Sequence, residues 1–157
     1  IISHPRGERS EDSAQGFRKG ELMIGVVLCT HAQLGRALLS AAEMIVGDFG
    51  HATSVAVEPG DSGEEILDRL SAAIQSVSTG DGVVVLCDMF GGTPSNVSLT
   101  LLGDDVEIVT GINLPMLLKL YTSRDLPLTE LADTIQKHGQ DNILVAGALL
   151  GARGEGK

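Results

Sequence analysis

Aromatic side chains are scarce, at 3% of the 157 residues and with no Trp, so little is available to stack on bases or to cage a flat cofactor. Positive charge is short too. Eleven Lys+Arg against 21 Asp+Glu leave a formal charge of -10, the wrong sign for gripping a phosphate backbone or an anionic membrane surface. No apolar run approaches the roughly 20 residues that a membrane helix needs, and the N-terminus lacks the apolar stretch of a signal peptide. Cysteine is limited to Cys29 and Cys87, each closing an apolar run, which suits reduced, buried thiols better than a secreted disulfide framework. These absences exclude nucleic-acid binding and direct membrane insertion, and the chain reads as cytoplasmic.

What is present suffices for one folded domain: 43% hydrophobic residues and 20% charged. Residues 1–22 show no hydrophobic period, and their charges balance, so they read as a disordered or artificially attached tail. The domain is expected over 23–150, with 151–157 a C-terminal tail. Within it, apolar runs at Ile24–Cys29, Ala52–Val57, Val83–Cys87, Val106–Thr110 and Ile143–Ala146 alternate with helical patterns. That order predicts an α/β fold with an open, mostly parallel, doubly wound sheet. The first helix is read from Leu34, Leu38, Ala41 and Ile45, and the second from Ile66, Leu70, Ile74 and Val77. Thr30 to Gln33 and Ser62 to Glu65 both fit a capping box, and Thr93 reads as a capping hydroxyl ahead of Pro94. The segment from Leu114 to Tyr121 is apolar nearly all round. It needs cover on most sides, from a second subunit or from the C-terminal segment of its own chain.

In an open parallel sheet the functional surface lies beyond the carboxyl ends of the strands. Three such ends carry polar residues: Thr30-His31, Asp88 followed by Gly91-Gly92-Thr93-Pro94-Ser95-Asn96, and Gly111-Ile112-Asn113. With a flavodoxin-like strand order 2-1-3-4, the first and third strands are neighbours and His31 faces Asp88. His31 is read as lying in the first turn of its helix, where the positive dipole end keeps an imidazole neutral and able to act as a nucleophile. Asp88 would fix the ring tautomer and stabilise the cation formed on attack. Paired glycines let backbone N–H groups approach an anionic group closely, so Thr30, Gly91, Gly92, Thr93 and Ser95 are the candidate phosphoryl contacts. A lone early-helix histidine is more often structural, and Asp88 could merely cap a turn. Their coincidence at adjacent strand ends favours chemistry. His4, His51 and His138 have no such company. Cys29, Cys87, His31 and Asp88 make a poor metal set, because alternate strand residues point to opposite faces. No metal or other cofactor is expected.

From about Met23 to Ala146 the chain resembles the mannose-type enzyme IIA family of the bacterial sugar phosphotransferase system. The likeness rests on Ile24-Gly-Val-Val-Leu-Cys-Thr-His31, Ala42-Glu-Met-Ile-Val-Gly47, Glu58-Pro-Gly60, Asp88-Met-Phe-Gly-Gly-Thr-Pro-Ser-Asn96 and Gly111-Ile-Asn-Leu-Pro-Met-Leu117. The resemblance implies that His31 takes a phosphoryl group from the phosphocarrier protein HPr and passes it to a IIB component, and through it to membrane IIC and IID components, for sugar uptake or regulation. It implies that Asp88 orients the imidazole, and that a homodimer forms partly by exchange of a C-terminal strand, here the run at 143–146. Ala32 stands where the family commonly has Gly, Met89 where Thr is frequent, and Thr93 where Ser is frequent. With no IIB domain behind Lys157, a separate IIA subunit is expected. Two other readings stand beside it: the phosphotransfer subunit of a phosphoprotein-dependent dihydroxyacetone kinase, a neighbouring family that resembles this fold, and, from a different class, a non-catalytic regulatory binding module.

Overall fold

The computed structural model describes residues 22–151; the two tails expected from the sequence lie almost wholly outside that range. Strands β1 (Gly25–His31), β2 (Ala52–Val57), β3 (Val83–Cys87) and β4 (Val106–Thr110) form one all-parallel sheet in the order β2-β1-β3-β4. The continuous apolar runs of β1 and β3 are the two central strands, buried on both faces as such runs require. Alternate residues then supply two cores. Val26, Leu28, Val84 and Leu86 pack under helices α1 (Leu34–Val46), α4 (Leu114–Thr122) and α5 (Leu128–Asp141). Val27, Cys29, Val85 and Cys87 pack on the other face, against α2 (Gly63–Val77) and α3 (Thr93–Ser98).

Several local expectations hold and several do not. The α2 capping box forms: Ser62 Oγ accepts from the Glu65 N–H at 3.2 Å, and the Glu65 carboxylate accepts from the Ser62 N–H at 2.8 Å. The Thr30–Gln33 box does not, because β1 runs on through His31 and leaves Thr30 in the strand. Thr30 Oγ1 instead accepts from the Gly35 N–H at 2.8 Å, and Gln33 caps α1 without a side-chain bond. At α3 the N-cap is Gly92, with no side-chain cap, so Thr93 is already helical. The inward face of α1 is Gly35, Leu38, Leu39, Ala42 and Val46, while Leu34 (46% exposed) and Ile45 (60%) point outward. One chain supplies the cover that the apolar 114–121 helix needs, since α4 lies against α1 and α5.

Ile143–Ala146 is not a strand in the single chain. Residues 143–145 are exposed and join no strand: the Ile143 N–H donates to the Gln140 carbonyl at 3.1 Å, and Val145 is extended as the N-cap of a short helix α6 (Ala146–Leu149). A strand needs a neighbour with free N–H and C=O groups, and no strand among the described residues takes this one up. Among the described residues no strand pairs with the outer edge of β4, where Gly103 bridges Val106 and the Glu107 carboxylate takes the Ile108 N–H, and beside it lies a groove of about 300 Å³ bordered by α5 residues Thr129, Asp133 and Gln136.

A buried arginine closes the end of the sheet opposite the candidate site. Arg124 donates from Nε to the Ile24 carbonyl at 2.9 Å, from Nη1 to those of Phe49 and Gly50, and from Nη2 to that of His51 at 3.1 Å. The guanidinium also lies 5.6 Å from the Phe49 ring centroid. Burial pushes its pKa down to about 10.

Candidate functional site

The register of the sheet builds the site. Cys29 pairs with Cys87, so His31 and Asp88, two and one residues further on, emerge side by side at the carboxyl ends of β1 and β3. His31 is the last residue of β1 and precedes α1, rather than occupying its first turn. Its placement therefore depends on Asp88 more than on a helix dipole.

The two residues are closely joined. His31 Nδ1 lies 2.8 Å from Asp88 Oδ2, and the same oxygen accepts the His31 backbone N–H at 3.0 Å. Oδ1 accepts the Met89 N–H at 3.0 Å. Burial of Asp88, whose side chain is 13% exposed, would by itself raise its pKa. Hydrogen bonds from the His31 ring and backbone, the nearby His31 charge and the Met89 N–H outweigh that and hold the carboxyl below its ordinary value. An ionised carboxylate can only accept, so in the neutral ring Nδ1 carries the proton and the lone pair is on Nε2. The ring is 48% exposed. The site thus presents one oriented, accessible nitrogen nucleophile backed by a negative charge.

Two adjacent glycines serve the site for different reasons. Gly91 has φ +84°, a conformation that side chains with a Cβ resist, and nothing lies within 4 Å of where a Cβ would stand. Gly92 has an ordinary φ of -83°. A Cβ there would fall 2.8 Å from His31 Cε1 and 3.4 Å from Nε2, so Gly92 is needed for room against the imidazole. On the other side, Ala32 sits at φ +46°, a left-handed turn held by its N–H to the Val57 carbonyl at 2.9 Å. That conformation is one that glycine adopts most easily. Gln33 reaches Glu58 at 3.3 Å, tying the Glu58-Pro-Gly60 turn to the rim.

The candidate phosphoryl contacts divide. Gly91 and Thr93 are exposed and Gly92 half-buried beside the ring. Thr30 and Ser95 are fully buried. The Thr30 hydroxyl accepts from Gly35 N–H and donates to the His31 carbonyl, and the Ser95 hydroxyl bridges Gly91 and Gly92. His51 and His138 lie away from the pair, His51 at φ +38° ahead of β2 and His138 in the last turn of α5; His4 lies outside the described residues. Among the described residues no group of three or more His, Cys, Asp or Glu could hold a metal ion, and no helix is long and apolar enough to cross a membrane. Neither the Ser95 bridge nor the role of Arg124 was legible in the sequence, because the hydrogen-bond partners are backbone atoms.

A family model, EIIA-man, the PTS system fructose IIA component, matches residues 25–137. The mannose-specific EIIAB component of the PTS system of Escherichia coli (strain K12) is 30% identical over 106 residues, 66% of this chain. The chain spans 33% of that relative's length. The fructose-specific EIIA component of Bacillus subtilis is 27% identical over 78% of this chain and 86% of its own. Two solved structures share the fold at a TM-score of 0.72. One is a mannose/sorbose-specific IIA subunit from Enterococcus faecalis, 27% identical, covering 79% of this chain and 95% of that one. The other is a PTS IIA protein associated with a fucose utilization operon in Streptococcus pneumoniae, 29% identical, covering 82% and 97%. The parallel sheet, the His31–Asp88 pair at its carboxyl edge and these likenesses agree: the chain belongs to the EIIA-man family, the PTS system fructose IIA component.

Proposed function

We propose that His31 carries the phosphoryl group, received from HPr and passed to a IIB component that serves membrane IIC and IID partners. The observation that carries this reading is the 2.8 Å bond from His31 Nδ1 to Asp88, which leaves Nε2 as the sole attacking atom. Nε2 attacks phosphorus in line, forming an N–P bond as the N–P bond to the donor's histidine breaks. The proton stays on Nδ1, and the imidazolium that results is balanced by Asp88. The Thr93 hydroxyl and the N–H groups of Gly92 and Thr93 are the donors nearest in sequence for the phosphoryl oxygens. Onward transfer reverses the same displacement toward the acceptor, so no cofactor enters.

The protein is further proposed to act as a homodimer in which the 143–146 segment of one copy pairs with the β4 edge of the other. Support comes from the β4 edge that no described strand covers, its groove, and the apolar, exposed Ile143, Leu144 and Val145. The phosphoryl reading is tested by incubating the protein with phosphoenolpyruvate, enzyme I and HPr, and mapping the product by mass spectrometry. One acid-labile phosphoryl group on His31 is expected. Label on His51 or His138, or none on folded protein, would sink it; onward transfer to a dihydroxyacetone kinase in place of IIB would redirect it. Light scattering decides the dimer, and a clean monomer at micromolar concentration would remove it.

A further inference from the structure

We propose that Ser95 is a positioning residue for His31, holding the Gly91–Gly92 turn against the imidazole instead of contacting the phosphoryl group. The proposal deepens the phosphocarrier reading, and its rate measurement rests on that reading. Ser95 lies in the first turn of α3 and is fully buried. Its Oγ accepts the Gly91 N–H at 2.9 Å and donates to the Gly92 carbonyl at 3.0 Å. A serine hydroxyl has one proton, and this one is committed to Gly92. What remains on Oγ is a lone pair, which offers nothing to a phosphoryl oxygen.

The two backbone groups that Ser95 joins flank the peptide whose position matters most to the ring. Gly91 is in a left-handed conformation, and the Cα of Gly92 approaches His31 so closely that a methyl would stand 2.8 Å from Cε1. Asp88 holds the imidazole at Nδ1 from one side, while Gly92 limits its Cε1–Nε2 edge from the other. With the hydroxyl gone, the Gly92 carbonyl keeps the Asn96 N–H at 2.9 Å, and the exposed Gly91 N–H can turn to water. The helix therefore survives and the turn loosens. The ring gains room to swing about its bond to Asp88, and Nε2 loses its fixed aim.

The test reads the ring directly. In protein labelled with ¹³C and ¹⁵N at histidine, Ser95→Ala is expected to move the His31 Cε1–H signal and lower the share of the Nδ1–H tautomer before any phosphorylation. It should also slow phosphorylation by HPr by ~3- to 30-fold, the scale of a sub-ångström misplacement. Ser95→Thr, which restores the hydroxyl, should return both readouts toward the parent. Should Ser95→Ala not fold, Ser95→Cys, with its weak donor, is read in the same way. Unmoved His31 signals overturn the proposal: with a slower rate they make the hydroxyl a phosphoryl contact, and with an unchanged rate they make it a structural residue only. A parent protein that takes no phosphoryl group defeats the carrier reading, while the ring signals still decide the role of Ser95.

Discussion

Replacing Gly92 by Ala should separate the two glycines of the site. The added Cβ would stand 2.8 Å from His31 Cε1, and it would also meet Nε2 and Met89 Cγ at 3.4 Å. Carbon atoms pack comfortably at about 3.5 Å or more, so the ring or the turn must give by at least about 0.7 Å. Neither is free to do so. Asp88 holds Nδ1 at 2.8 Å, and the turn is tied through Ser95 and through the Asn96 N–H. If the ring yields, the Nδ1–Asp88 bond lengthens toward the limit of a hydrogen bond and Nε2 is misaimed. A misplacement of about 1 Å costs on the order of 10²-fold in a positioned reaction, so a loss of ~10- to 10²-fold in phosphoryl transfer is expected. The fold should lose only about 1–2 kcal/mol, because φ at Gly92 is already ordinary and the crowding is local. Gly91→Ala is the converse: open space but φ +84°, so it should cost about 1–2 kcal/mol of stability with less effect on rate. Rapid-quench phosphorylation and thermal melts followed by circular dichroism give both numbers for each variant. A folded Gly92→Ala protein that transfers at the parent rate would refute the reasoning, because the ring would then not need the space.

Asp88→Asn should fold and slow phosphoryl transfer by ~10- to 10³-fold, since an amide can hold the wrong tautomer and brings no charge. Because the Asp88 carboxyl is held below its ordinary 3.8, the stability it contributes is complete above that value and is lost as pH falls through the lowered one. Urea titrations at pH 7 and pH 3 should therefore show parent and variant converging in acid; a gap that is unchanged in acid contradicts the assignment. Arg124→Met should cost about 3 kcal/mol in urea unfolding, because it strands the buried carbonyls of Ile24 and Phe49 and the half-buried one of Gly50, that of His51 keeping the Val26 N–H; a loss below about 1 kcal/mol would show that they find other partners. Burial raises the Cys29 thiol and pushes Cys87 up to about 12, so neither should react with iodoacetamide at neutral pH until the protein unfolds. Rapid labelling of native protein would contradict their placement.

The two central strands were legible because a strand buried on both faces must be apolar throughout, and Val83–Cys87 has no other explanation. The His31–Asp88 pair followed from strand order, since topology alone sets which carboxyl ends are neighbours. The face of α1 was less legible. Apolar residues at 34, 38, 39, 42, 45 and 46 fit two adjacent stripes, and only packing against β1 selects the one with Gly35 and Ala42 inside. The Thr30 cap failed because strand length, which depends on the neighbouring strands, placed that hydroxyl one turn too early. Ile143–Ala146 has the composition of a strand, but pairing is a property of two segments and cannot be read from one. Ser95 and Arg124 escaped for a common reason: their partners are main-chain groups, which leave no mark in the sequence.

Arg124 also bears on how the chain comes together and apart. Its hydrogen bonds join residues separated by 100, 75, 74 and 73 positions, tying the start of β1, the approach to β2 and the end of α4 into one knot. Contacts of such long range form only after the intervening loops have closed, which places this knot late in folding, on the native side of the barrier. Interactions absent from the transition state act on the unfolding rate and leave the folding rate nearly unchanged. The arginine therefore works as a latch: it does little to speed assembly, and it sets how long the assembled sheet, with its histidine in place, survives before opening.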